Sequence, residues 1–172
     1  VEVAPEDVLG DIGQGLKIAL MSLDTGRLSM AAINLGQMKH AFHLTVEEAK
    51  RRHQFGQAIG EHDINAQKIA RMAKAIFVAE SILWYPSLLV DRGGRFDIRL
   101  ESAVDKLVTS EFGWAVIDDM AQIFGGRGYE TADSKARRGE LALPVEQLWR
   151  DFRINRIYEG SSEIQHLLEA RE

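Results

Sequence analysis

The sequence predicts an all-α protein, an up-and-down antiparallel four-helix bundle with additional short C-terminal helices. Apolar residues recur at intervals of three and four along most of the chain, and glycine pairs and prolines divide that recurrence into segments. Strand-like alternation is confined to Val1-Glu2-Val3-Ala4-Pro5. Helices with one apolar face and no sheet to cover it must pack on one another, which makes a bundle the expected architecture.

The elements follow in order. After Pro5, Gly10, Gly13 and Gly15, the spacing of Leu16, Ala19, Leu20 and Leu23 predicts a short first helix ending near Asp24. Leu28, Ala31, Leu35, Met38, Phe42, Val46 and Ala49 predict a long second helix, broken by Phe55-Gly56. A third is expected from Ile64 to Val90, with Pro86 interrupting its hydrogen bonding and Gly93-Gly94 closing it. Asp97 is the expected cap of a fourth, carrying Val104, Leu107, Val108, Phe112, Ala115 and Met120 until Gly125-Gly126 ends it. From Thr131 to Leu143 no apolar period survives, so this stretch reads as an exposed excursion or a frayed turn. Pro144 suits the first position of a short helix over Val145–Ile154, and Ser161 to Arg171 forms the last.

Length and composition bound the function. The 172 residues, 45% hydrophobic and 27% charged, fit one globular domain with a real core. The absence of cysteine excludes disulfides, thiolate metal sites and thiol catalysis, and it fits a reducing, cytoplasmic setting. A net charge of -5 with dispersed basic residues argues against nucleic acid as a partner, although Lys50-Arg51-Arg52-His53 can meet phosphates. No run approaches the roughly 20 apolar residues of a membrane span, so no membrane insertion is expected. Both ends look cut rather than finished, as in a piece of a larger protein.

The most informative segment is Arg156-Ile157-Tyr158-Glu159-Gly160-Ser161-Ser162-Glu163-Ile164-Gln165. It sets an acid on a glycine turn just before a helix, with Ser161 as the expected helix cap. Ile157 and Tyr158 can keep water from the Glu159 carboxylate, the setting that proton abstraction from carbon requires. An acid near a helix N-terminus also has a plain electrostatic explanation. His40 and His43 share a helix face, but no H-E-x-x-H set accompanies them, so no metal is expected. Arg52, Gln54 and Phe55 offer a cation, an amide and a ring able to hold a nucleotide, or simply close a helix. Gly125-Gly126-Arg127-Gly128-Tyr129 can approach a phosphate or terminate a helix. Asp24 and Arg27 bracket a glycine and either pair with each other or face a ligand. No G-x-S-x-G elbow is present, and neither Ser161 nor Ser162 has an evident base.

In order along the chain stand Leu23-Asp24-x-x-Arg27, Arg52-x-Gln54-Phe55-Gly56-x-x-Ile59, Gln122-Ile123-Phe124-Gly125-Gly126-x-Gly128-Tyr129, Pro144-Val145-Glu146 with Arg150-Asp151, and Ile157 to Gln165. This series resembles the C-terminal helical domain of acyl-CoA dehydrogenases and covers nearly the whole chain. The resemblance implies a larger subunit in which residues 1–10 leave a middle β-domain and 11–172 form the helical domain, with the N-terminal helical and middle domains outside this chain. It implies FAD as cofactor, an acyl-CoA substrate, electron-transferring flavoprotein as electron acceptor, and a homodimer or homotetramer. A fragment of this kind is not expected to catalyse alone.

By the same resemblance, Glu159 matches the glutamate that removes the substrate's α-proton while the β-hydride passes to flavin N5. Its backbone N–H matches a stabiliser of the thioester oxygen. Asp24 and Arg27 match residues lining the acyl-CoA site, and Tyr158 and Gly160 flank the base there. Arg52, Gln54 and Phe55 match positions that reach across a dimer interface to a neighbour's FAD, with Gln122, Gly125 and Gly126 completing that contact. Ser161 and Glu163 match positions that touch FAD, and a negative Glu163 near phosphates needs a basic neighbour.

The chain also departs from the family pattern. A branch resembling isovaleryl-CoA and long-chain dehydrogenases carries its base just before the arginine matching Arg27, where this chain has Gly26. Glu159 is therefore the one matching base. The stretch between Tyr129 and Pro144 is longer than usual, and Asp63 replaces a common glutamine. A same-fold acyl-CoA oxidase and a non-catalytic helical assembly module are the alternative readings; Glu159 and the intact Arg52 and Gly125-Gly126 sets favour the dehydrogenase.

Overall fold

The computed structural model describes residues 3–93 and 96–170. Three long helices, α1 (Gly15–Arg51), α2 (Asp63–Asp91) and α3 (Arg99–Phe124), pack on one another pairwise. Short helices α4 (Gly126–Tyr129), α5 (Ala132–Arg137), α6 (Val145–Phe152) and α7 (Ser162–Glu169) follow, with α6 and α7 laid against α3. The all-α bundle is as predicted, but its first two expected segments are one helix. Gly26 does not interrupt α1, because an isolated helical glycine costs only about 1 kcal/mol and the apolar face continues on both sides.

A second difference lies between α1 and α2. His53–Gln54 (β1) and Gln57–Ala58 (β2) form a two-residue antiparallel hairpin, with His53 opposite Ala58. Phe55 and Gly56 make its tip, both at positive φ. His62 ties the hairpin down: its Nε2 donates to Gln54 O at 3.1 Å, and its Nδ1 accepts from Gln57 Nε2 at 3.0 Å. At the N-terminus, Val1 and Glu2 lie outside the described residues, and the predicted strand end gives way to a 3-10 turn at Pro5–Asp7.

The core joins α1, α2, α3 and α6 through Leu35, Met38, Ala41, Met72, Ala79, Val116, Ile117, Met120, Phe124, Val145 and Phe152. Pro86 is accommodated within α2, which continues to Asp91. Gly94 lies outside the described residues. The N-cap of α3 is Ile98 rather than the expected Asp97, which stands one place earlier and accepts from Arg99 N at 3.2 Å. Pro144 sits one place earlier than expected, at the N-cap of α6, and Phe152 leads into a 3-10 turn over Arg153–Arg156. Ser161 occupies the N-cap of α7, but its hydroxyl makes no capping bond. The Glu163 carboxyl lies below the usual carboxylate range, held there first by the backbone N–H of Glu163 and then by the Ser161 hydroxyl. Arg171 lies outside the described residues.

The 131–143 stretch is more ordered than an exposed excursion. Thr131 caps α5 by accepting from Ser134 N, Arg127 pairs with Glu130 and Glu140, and Arg138 pairs with the same two acids. Lys135, only 4% exposed, donates to Leu143 O at 3.2 Å and closes the loop from inside. Local pairs of this kind leave no apolar period. The expectation that no stretch is long and apolar enough to cross a bilayer fails for α2, whose 29 residues reach a mean hydropathy of 1.3 in their most apolar window. Within the bundle, α2 packs against α1 and α3 through Met72, Ala79 and Pro86, and much of its outer face is apolar.

Candidate functional site

The carboxylate at position 159 is held by an unusual backbone. Glu159 has φ +57 and Gly160 φ +95, so two consecutive residues lie in the left-handed region between the 3-10 turn and α7. A side chain cannot replace the glycine hydrogen at 160, where a Cβ would stand 2.1 Å from Gln165 Nε2. α1 passes beneath this turn. A Cβ on Gly26 would lie 3.1 Å from Glu159 Oε2, so the absent side chain makes the space the carboxylate occupies. Glu159 Oε2 is buried and has no hydrogen-bond partner.

Asp24 and Arg27 lie one helical turn apart in the N-terminal part of α1. They pair at 3.2 Å, and Arg27 Nε also points to Glu159 O at 3.4 Å. The internal pair considered from sequence is present, and its arginine also reaches the backbone of the Glu159 turn. Burial raises the Asp24 carboxyl above its usual value, Arg27 and Arg99 opposing and Asp97 reinforcing the shift. Tyr158 Oη donates to Asn155 Oδ1 at 2.9 Å and lies 3.3 Å from Met30 Sδ. Burial, then the Glu159 charge, raises its phenol. The expectation that Ile157 and Tyr158 seal the carboxylate is not met, since they are 51% and 39% exposed. Gly26 and α1 do the shielding instead.

α3 carries three supports that the apolar periodicity did not reveal. Lys106, wholly buried, donates from Nζ to Gly160 O at 2.6 Å. Glu111 accepts from Arg156 Nε at 2.8 Å and from Ser162 Oγ at 2.5 Å, fastening both flanks of the turn. Burial pushes the Glu111 carboxyl up, but these two donors outweigh it and leave it lowered. Gln165 Nε2 donates to Glu159 O at 3.1 Å. Gln165 belonged to the motif; Lys106 and Glu111 gave no signal of their own, being two charged residues among several on α3. Glu163 has the basic neighbours Arg156 and His166, which add to the larger effects of its backbone N–H and the Ser161 hydroxyl in lowering its carboxyl.

The second set of residues gathers elsewhere. Arg52 Nη1 donates to Phe124 O at 3.3 Å and stands 3.6 Å from the place of a Gly125 Cβ. Gly125 is itself left-handed, at φ +61. Gln122, Gly125, Gly126 and Tyr129 line a cavity of about 360 Å³ with Asp118 and Trp149. Gln54 and Phe55 occupy the hairpin that Arg52 leads into, and Phe55 is 95% exposed. Asp63 opens α2, where its charge complements the helix N-terminus. His40 and His43 are exposed on α1.

Lys106 and Phe124 mark where the two sets meet α3, about 27 Å apart at 1.5 Å per residue. One set presents a shielded carboxylate; the other presents a cation, bare glycine backbone and an outstretched ring. The cation and bare glycine backbone of the second fit a diphosphate, and the two acids that share its cavity, Asp118 and Glu146, are engaged by Trp149 and Arg150.

The family profile of the acyl-CoA dehydrogenase C-terminal domain matches residues 13–172. The chain belongs to the acyl-CoA dehydrogenase family. Over 172 residues it is 48% identical to the probable acyl-CoA dehydrogenase FadE10 of Mycobacterium tuberculosis, all of this chain matching 26% of that protein. It is 38% identical to the very long-chain specific acyl-CoA dehydrogenase of Bos taurus mitochondria, 99% of the chain matching 24% of that protein. The structure of butyryl-CoA dehydrogenase from Megasphaera elsdenii superposes with a TM-score of 0.86 at 33% identity, over 98% of this chain and 41% of that one. The chain spans about a quarter of the length of the curated relatives it matches.

Proposed function

We propose that this chain is the helical domain of an FAD-dependent acyl-CoA dehydrogenase, and that Glu159 removes the α-proton of an acyl-CoA thioester. The unpartnered, buried Oε2 of Glu159 beside Gly26 carries the reading. Abstraction from carbon needs a carboxylate that is not spent on a neighbouring donor, on a backbone fixed well enough to aim it. Arg27 binds the carbonyl of that residue rather than its carboxylate, so the acid is bordered by a cation without being tied to it. The Glu159 N–H is assigned to the thioester oxygen, where one well-placed donor is worth about 10²- to 10³-fold in rate.

When bound, FAD supplies the acceptor for the β-hydride. Ser161 and Glu163 are assigned to the FAD beside the Glu159 turn. Arg52, Gln54, Phe55, Gln122, Gly125 and Gly126 are assigned to the diphosphate and adenosine side of a second FAD, carried by a neighbouring subunit. The separation of about 27 Å along α3 supports that division, since the two sets do not form one pocket. Such an arrangement requires a homodimer or homotetramer. Electron-transferring flavoprotein is the proposed acceptor, and the cysteine-free sequence suits a cytoplasmic enzyme.

The decisive experiment is anaerobic titration of the whole flavoprotein with acyl-CoAs of several chain lengths, following flavin absorbance in the parent and in Glu159→Gln. Bleaching in the parent alone is expected. Equal bleaching in both would remove Glu159 as the base, and none in either, with FAD bound, would favour the assembly module.

A further inference from the structure

Both carbonyls of the Glu159–Gly160 turn end on side-chain donors from three helices. Arg27 of α1 reaches Glu159 O at 3.4 Å, Gln165 of α7 reaches Glu159 O at 3.1 Å and Gly160 O at 3.4 Å, and Lys106 of α3 reaches Gly160 O at 2.6 Å. Lys106 and Gln165 are 0% exposed. A buried ammonium is expensive, and an apolar side chain of similar volume at such a place often serves stability equally well or better. Packing alone therefore does not account for a lysine here.

The backbone it touches does. Glu159 is a non-glycine residue at φ +57, a conformation that costs about 1–3 kcal/mol and persists only where the surroundings over-determine it. Gly160 has no Cβ because Gln165 Nε2 occupies that space. Removing the donors would leave both carbonyls without these bonds and the strain without its restraint. We propose that Lys106, assisted by Gln165, is the positioning residue of this turn. By gripping Gly160 O from inside the bundle it fixes the left-handed backbone of Glu159, and with it the direction of both the carboxylate and the peptide N–H. The proposal rests on Glu159 as the base.

The surroundings of Lys106 agree with a cation shared among acids. Burial pulls its ammonium below the usual lysine value, and Arg27 adds to that, while the carboxylates of Glu111, Glu159 and Glu163 oppose it. The cation thus supports the turn through the Gly160 carbonyl, without a direct bond to the carboxylate. A lysine in that role acts through backbone geometry. It should govern proton transfer more than ligand binding.

The test uses the whole FAD-loaded enzyme as parent, Lys106→Met, Gln165→Met and Glu159→Gln, with a 3-thia-acyl-CoA as probe. Its α-proton can pass to Glu159, but the sulfur at the β-position has no hydride to give. The long-wavelength absorbance between the resulting enolate and the oxidised flavin therefore reports proton transfer alone. Lys106→Met is expected to retain FAD and bind the probe within about threefold, while the band fades and flavin reduction by an ordinary acyl-CoA slows about 100-fold. A full band and parental rate in Lys106→Met would overturn the proposal while leaving Glu159 in place. Should Lys106→Met fail to fold or lose FAD, Gln165→Met decides: a loss of about tenfold or more in reduction rate with intact FAD supports the clamp, and a smaller loss overturns it. A Glu159→Gln enzyme that still forms the band would instead sink the base assignment beneath it.

Discussion

Gly26 and Glu159 constrain each other across 133 positions of sequence, and the constraint has opposite signs for stability and chemistry. Gly26 sits inside α1, where alanine is the better helix former by about 0.5–1 kcal/mol. Its Cβ would nevertheless stand 3.1 Å from Glu159 Oε2, so the carboxylate must move by a few tenths of an ångström. We expect Gly26→Ala to raise Tm slightly and to slow flavin reduction about tenfold. Gly36→Ala, on the same helix with nothing within 4 Å, is expected to raise Tm without touching the rate. Equal rates for the two variants would show that Gly26 does not shape the site. Asp105 offers a pH test of the same kind. Burial, aided by the Glu101 charge, pushes its carboxyl up to about 7, and Oδ2 has no partner. Because the folded protein holds a proton here that the unfolded chain has released, stability falls as pH rises from the ordinary carboxylate value through 7. Asp105→Asn should therefore stabilise on the order of 2 kcal/mol at pH 8, after allowance for solvent screening, and little at pH 4. Denaturant titrations at the two pH values measure the difference.

At the scale of elements, α3 is the helix to which the others are referred. It packs against α1, α2, α6 and α7, and its buried residues include Ser102, Asp105, Lys106, Thr109 and Ser110 alongside its apolar ones. That explains what sequence periodicity captured and what it missed. α1 and α2 have an outer face, so their apolar spacing was legible, whereas α3 is enclosed on several sides and its buried polar residues read as surface. The break assigned near Asp24 was misplaced because Gly26 answers to Glu159, a contact far away in sequence. The hairpin was hidden because its two-residue strands are held by His62 rather than by a strand pattern. The backbone breaks at Gly125 and Glu159-Gly160 are local and so readable from glycine, whereas a cofactor role for the Arg52 and Gly125-Gly126 sets rests on the family resemblance. α3 and α6 meet at Gly113, where a Cβ would fall 2.2 Å from Phe152 Cζ. Gly113→Ala is expected to cost about 1–3 kcal/mol by overpacking, and Phe152→Leu in the same protein should recover part of it. Additive losses in the double variant would deny the contact.

At the scale of the whole molecule, α2 carries a row of exposed large apolar side chains. Phe77, Trp84 and Leu88 follow one stripe of α2 and are 72%, 60% and 50% exposed, with Tyr85 beside them at 60%. Such a stripe suits a membrane, another part of the polypeptide, or a second copy of the chain. On the function proposed above, the exposed Phe55 hairpin reaches a neighbouring subunit's cofactor, and a second copy is the occupant that this reading favours. Phe77 and Trp84 lie two turns apart on the same face, so charge placed at both should oppose closure of an interface without entering the core. Phe77→Glu with Trp84→Glu is expected to shift the whole flavoprotein to a smaller species by light scattering and to lower its FAD content, while the helical signal persists. An unchanged mass would mean that α2 faces something other than a partner subunit. Flotation with anionic lipid vesicles that depends on the same two residues would identify that surface as a membrane contact and leave the Arg52 cluster to be explained within a single subunit.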